Sequence, residues 1–85
     1  MKFRKKAVVI EAVQFDGSAD GVALIEEFMG QSLGYTNYGP GEIELWVPTL
    51  EGGLRASPKD WIIKGVKGEF YPCKPDIFAA TYEEA

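Results

Sequence analysis

The stretch from Trp61 to Pro72 constrains the fold more than any other part of the chain. Two runs, Trp61-Ile62-Ile63-Lys64 and Glu69-Phe70-Tyr71-Pro72, flank Gly65-Val66-Lys67-Gly68 and read as a β-hairpin with a four-residue loop. That register sets Lys64 opposite Glu69, Ile63 opposite Phe70 and Ile62 opposite Tyr71, matching charge with charge and hydrophobe with aromatic. It also leaves large apolar side chains on both faces. A chain of 85 residues is one domain, spanning 1–85, and a domain of this size buries only about 60 to 65 per cent of its unfolded surface. Such a hairpin needs a helix on one side and something else on the other, either a second layer of strands or another copy of the chain.

Lys6 to Phe15 is rich in Val and Ile, with Val8, Ile10 and Ala12 on one face and Val9, Val13 and Phe15 on the other. This pattern predicts a central strand, although Glu11 interrupts it. Asp16-Gly17-Ser18 breaks the strand and supplies Ser18 as an N-cap. Val22, Ile25, Phe28 and Met29 then recur at helical spacing up to Gly30, which suits a left-handed cap, so a helix is predicted over 19–29. Residues 31–41 carry Gly34, Gly39, Pro40 and Gly41 beside Tyr35 and Tyr38, and form either a long loop or a short strand ending in a turn.

Glu42 to Val47 alternates, with Ile43, Leu45 and Val47 inward and Glu42, Glu44 and Trp46 outward. Pro48 ends that strand or puts it at an edge. Glu51-Gly52-Gly53 reads as a hairpin turn and Ser57-Pro58-Lys59-Asp60 as a type I turn. Near the end, Pro75 and Asp76 predict one helical turn directing Ile77 and Phe78 into the core, followed by a short strand at Thr81 and Tyr82.

Charge and residue inventory narrow the chemistry. The net charge of −4 argues against general nucleic-acid binding, although Lys2, Arg4, Lys5 and Lys6 make the first residues basic. That basic start could touch an anionic partner, or simply keep an edge strand soluble. Glu11 cuts the first apolar run short, so it reads as a strand with a basic lead-in rather than as a signal peptide or a membrane span. Without His, the commonest general base and metal ligand is missing. Cys73 alone makes neither a disulfide nor a zinc cluster; it reads as a packing residue, although Lys74 beside it could lower its pKa. No metal or cofactor is expected. Glu42 and Glu44 share a strand face without a pocket to tune them, and read as solvated.

Several residues are candidates for binding. Tyr35 and Tyr38, among glycines, could stack on a base or a partner side chain, or cover the open end of the core. Trp46 beside two glutamates fits an interface, or an outer face covered by a terminal segment. Arg55, Lys59, Lys64 and Lys67 cluster in sequence and could form one basic edge for a small anionic ligand, or be ordinary solubilising charge.

Lys2-Phe3-Arg4-Lys5-Lys6 running into Val8-Val9-Ile10-Glu11-Ala12, together with Ser57 to Phe78 and Thr81-Tyr82, resembles a family of small bacteriophage and prophage proteins named for a Pro-Gly-Asp-Tyr-Gly (PGDYG) motif. The likeness covers the first sixteen residues and roughly the last thirty. The chain departs from the motif at Lys59, where the family has Gly, and at Trp61, where Tyr is usual; the family often has Pro at the position of Ala7. Lys59 implies a turn that need not have a positive φ. The resemblance implies a phage origin and a host-cytoplasmic setting, and transfers no catalytic residue. Asp60 is expected to cap turn amides.

These readings converge on an α+β domain: a curved, mainly antiparallel sheet of four to six strands, with barrel-like closure as one form of that curvature, and one helix. The function expected is a phage-encoded, non-enzymatic binding module that associates with itself and engages a host protein. The alternative is a binder that sequesters a small nucleotide-like anion between Tyr35, Tyr38, Trp46 and the basic turns. A hydrolase using acids alone is the least supported reading and would need Glu42, Glu44 or Asp60 to converge in a pocket.

Overall fold

The computed structural model describes residues 1–85 as an α+β fold of two three-stranded antiparallel sheets and two helices. The elements are β1 (Glu11–Gln14), α1 (Ala19–Met29), β2 (Tyr35–Asn37), β3 (Ile43–Thr49), β4 (Gly52–Ala56), β5 (Trp61–Lys64), β6 (Phe70–Cys73) and α2 (Pro75–Thr81). The strand orders are β1-β5-β6 and β2-β3-β4. The single curved sheet expected from sequence is thus split in two, with no closed barrel. No helix is long and apolar enough to cross a membrane.

Helix α1 forms where the periodicity predicts it. The Ser18 hydroxyl accepts the Gly21 amide at 2.9 Å, and Gly30 closes the other end at φ 72°. Its buried face, Val22, Ile25 and Met29, meets Ile43, Leu45 and Val47 of β3, together with Phe15, Leu33, Ala56 and Ile62. These ten side chains are the core, with Phe28 and Phe70 in edge-to-face contact at its margin, 5.6 Å between centroids.

Strand β3 is central and runs through Pro48, contrary to the expectation that Pro48 ends it or marks an edge. The reason lies in the short β2. The Trp46 amide donates to Gly34 O on the β2 side, so Pro48, two residues on, lacks its donor on that same side, beyond the start of β2. The following turn is Leu50-Glu51, with Thr49 opposite Gly52, so Gly52 and Gly53 open β4 rather than making the turn.

The β5–β6 hairpin is shifted by one residue from the expected register: Lys64 pairs with Phe70, Ile63 with Tyr71, Ile62 with Pro72 and Trp61 with Cys73. The Gly68 amide donates to Gly65 O at 3.0 Å, and Gly68 takes φ 81°. The Gly65 amide reaches Glu69 O at 2.7 Å. A turn followed by a left-handed glycine leaves three residues in the loop, which pairs Gly65 with Glu69 and removes Glu69 from Lys64.

The hairpin is covered on both faces by its own chain. Ile62 joins the core, whereas Ile63, 1 % exposed, lies on the opposite face with Ala12 and Tyr71. That second face is capped by α2, whose Phe78 ring stacks on Trp61 at 4.2 Å. The single helical turn expected at Pro75 is a second helix. It makes two turns rather than one, buries none of its residues completely, leaves Ile77 exposed, and includes Thr81, which therefore forms no strand with Tyr82.

Strand β1 covers only four of the ten residues expected, and it is an edge, not a centre. Its partner sets the limit: Glu11 pairs with Lys64, after which β5 turns away at Gly65. Residues 1–10 precede the sheet without a strand partner.

Candidate interaction surface

The most distinctive surface lies where residues 5–10, β1 and α2 meet. Phe78 lies within α2, and Tyr82, four residues on, is the extended residue that caps its end. Phe78 stacks on Trp61, Tyr82 follows at 5.1 Å, and the Lys5 ammonium sits 5.8 Å above the Tyr82 ring. A groove of about 580 Å³ is lined by Val8, Val9, Ala12, Trp61, Phe78 and Tyr82. A second, of about 490 Å³, is bounded by Lys5, Lys6, Tyr71 and Tyr82. The hydrogen bond with the Tyr82 hydroxyl, then burial, push the Tyr71 hydroxyl up to about 12. Two apolar side chains stay in water beside this cleft: Val8 is 51 % and Val9 81 % exposed.

Trp46 occupies the outer face of β3 and is 46 % exposed, so that face is not covered over. Its neighbour is the cross-strand residue Arg55, whose guanidinium lies 5.3 Å from the indole. Arg55 also pairs with Glu44, 3.5 Å from Nε to Oε1, and the Ser57 hydroxyl donates to Glu44 Oε2 at 3.2 Å.

The remaining candidates do not converge with Trp46. Tyr35 pairs with Leu45, so it belongs to the opposite face of the β2–β3 pair from Trp46. Tyr38 lies past the end of β2, its amide donating to the carbonyl of Glu42, which precedes β3 and stands four residues before Trp46. Lys59 and Lys64 flank opposite ends of β5, and Arg55 is already matched with Glu44, so these residues form no single basic edge.

Lys59 adopts φ 77°, which corrects two expectations. Pro58 at the second position and a left-handed Lys59 at the third make Ser57–Asp60 a type II turn, not type I. The turn does require a positive φ. The Lys59 amide donates to Phe15 O, and the Gln14 side-chain amide donates to Lys59 O at 3.0 Å, so contacts with the end of β1 hold the strained residue in place.

Asp60 caps the turn as expected: its Oδ2 accepts the Ser57 amide at 2.9 Å. Its second partner, which no local pattern signals, is the Lys74 ammonium, also at 2.9 Å. Asp60 is 2 % exposed, so the pair ties the β4–β5 turn to the start of α2. With Lys74 so engaged, Cys73 loses the neighbour that could have lowered its pKa. Burial pushes the thiol up instead, with Asp60 and Asp76 adding to the effect.

Glu42, Glu44 and Asp60 line none of the grooves around α2, and no cluster of three Cys, Asp and Glu side chains is placed to hold a metal ion. Comparison with known proteins finds no matching family model, curated protein or solved structure.

Proposed function

We propose that the chain is a non-enzymatic binding module that associates with itself. One observation carries the reading: the exposed Val8 and Val9 lead directly into β1, the free edge of the β1-β5-β6 sheet. Unpaired edge groups beside exposed β-branched residues favour pairing with another strand. The support is therefore not the one the sequence suggested, because α2 covers the second face of the hairpin. The nucleotide reading loses its aromatic sandwich, since Tyr35 and Trp46 belong to opposite faces. Engagement of a host protein, and the phage setting with it, rest on the PGDYG resemblance alone.

Light scattering coupled to size exclusion tests the proposal. A dimer or larger species growing in with concentration over the micromolar range is expected, and a monomer throughout that range removes the reading. Thermal-shift screening against nucleotides addresses the alternative. A ligand at a hundred times its dissociation constant adds about 2.7 kcal/mol of stability, so a shift of that size would restore it.

A further inference from the structure

Residues 6–10 have a strand's sequence and no strand to pair with. Lys6 to Phe15 reads as one continuous β segment, yet only Glu11–Gln14 is paired, because β5 ends at Lys64. The direction of the unpaired groups follows from the end of β1. Phe15 points both its amide and its carbonyl at the β5 side, bonding to Asp60 O at 2.9 Å and to the Lys59 amide. Alternate residues of a strand address opposite edges, so Ala12, and by continuation Ile10 and Val8, turn their N–H and C=O towards the free edge.

We propose that this edge pairs with the same segment of a second copy, antiparallel and centred on Val8, joining two β1-β5-β6 sheets into one of six strands. The inference rests on the self-association reading and specifies its geometry. A two-fold axis perpendicular to a sheet keeps each residue on its own face, so a symmetric antiparallel pair must place one residue opposite itself. Centring on Val8 puts Glu11 opposite Lys5 of the second copy, and Lys5 opposite Glu11, giving two ion pairs. Ala7 then faces Val9 and Lys6 faces Ile10. Centring on Val9 sets Glu11 against Ala7, and centring on Ile10 sets it against Val9, so charge selects the Val8 register. Hydrogen-bond direction agrees, because Val8 is one of the residues whose amide and carbonyl address the free edge. Pairing covers Val8 and Val9 and requires Lys5 to leave the Tyr82 ring.

Two measurements on the full chain test this. Nitroxide labels on Val8→Cys, Lys6→Cys and Arg4→Cys, each in a Cys73→Ala background, report distances within the dimer. Backbone separations of about 5, 14 and 27 Å are expected in that order. In parallel, Lys5→Glu and Glu11→Lys should each weaken dimerisation about tenfold, while the double variant restores it to within about twofold. A dimer in which the distances do not rise in that order, or in which the double variant fails to recover, overturns the Val8-centred pairing and leaves self-association standing. A chain that is monomeric by light scattering overturns both.

Discussion

Lys59 sits in a backbone region that costs an L-residue about 1 to 2 kcal/mol, and the bonds of its amide and carbonyl to Phe15 and Gln14 keep it there. Glycine removes that strain and gives part of the gain back as unfolded-chain entropy. Lys59→Gly is expected to stabilise by about 0.5 to 1 kcal/mol in urea unfolding; a loss of stability would contradict the strain. Gly21 behaves oppositely. Alanine is the better helix former by about 1 kcal/mol, but a Cβ there would clash with Asp16 Oδ1 and lie 3.3 Å from the Phe15 ring. That carboxylate oxygen accepts both the amide and the hydroxyl of Ser18, at 2.9 and 2.6 Å, and Ser18 in turn caps α1. Gly21→Ala should therefore destabilise by about 1 to 2 kcal/mol, and removing the carboxylate first with Asp16→Ala should shrink the penalty. The same carboxylate has an acid signature. The Ser18 hydroxyl, then its amide, hold the Asp16 carboxyl below the usual carboxylate range. A depressed folded pKa contributes stability that is present above the unfolded value, near 3.9, and is lost as pH falls through the folded one. Below that range Asp16→Asn and the parent chain should converge in stability, while at neutral pH the parent is the more stable. A difference that did not change with pH would exclude the charge of the Asp16 carboxylate as its source.

At the scale of elements, the two helices are held in different ways. Helix α1 carries a buried apolar stripe, so its position follows from the core. Helix α2 has no fully buried residue and is attached by the Trp61–Phe78 stack at one point and the Asp60–Lys74 pair at its start. Asp60 is buried while Lys74 is largely in water, so the two ends of this pair are unequal. Asp60→Ala removes the cap of Ser57 and the tether together and is expected to cost about 3 kcal/mol. Lys74→Met leaves the cap in place and should cost less, yet speed amide exchange in α2 selectively. Equal exchange in both variants and the parent would show that the stack alone holds the helix. The existence and bounds of α1 are legible in the sequence because periodicity, cap and glycine stop all agree. The length of α2 is not, since its few apolar residues contact a hairpin rather than a core and leave no periodic stripe.

For the whole molecule, residues 1–9 are exposed and lie outside the paired sheet. Deleting 1–5 should change the unfolding free energy of the dilute chain by no more than about 0.5 kcal/mol while removing its concentration dependence. A large loss at low concentration would mean that the Lys5–Tyr82 contact matters to the fold itself. The radius of gyration is 13.6 Å, above the roughly 12 Å of a compact chain of this length, in keeping with 48 × 22 × 22 Å extents and a segment that stands off the sheet. The sequence by itself determined the α+β class, α1 with both caps, the inward face of β3 and the capping role of Asp60. Each of these follows from neighbours within a few residues, where local geometry and apolar period act directly. Only the tertiary structure decided the split into two sheets, the strain at Lys59, the Lys74 partner of Asp60, and the separation of Tyr35 from Trp46. It also decided that β1 is a short edge. Those outcomes depend on which strand ends first and what lies across from it, a pairing between distant segments that no local pattern encodes.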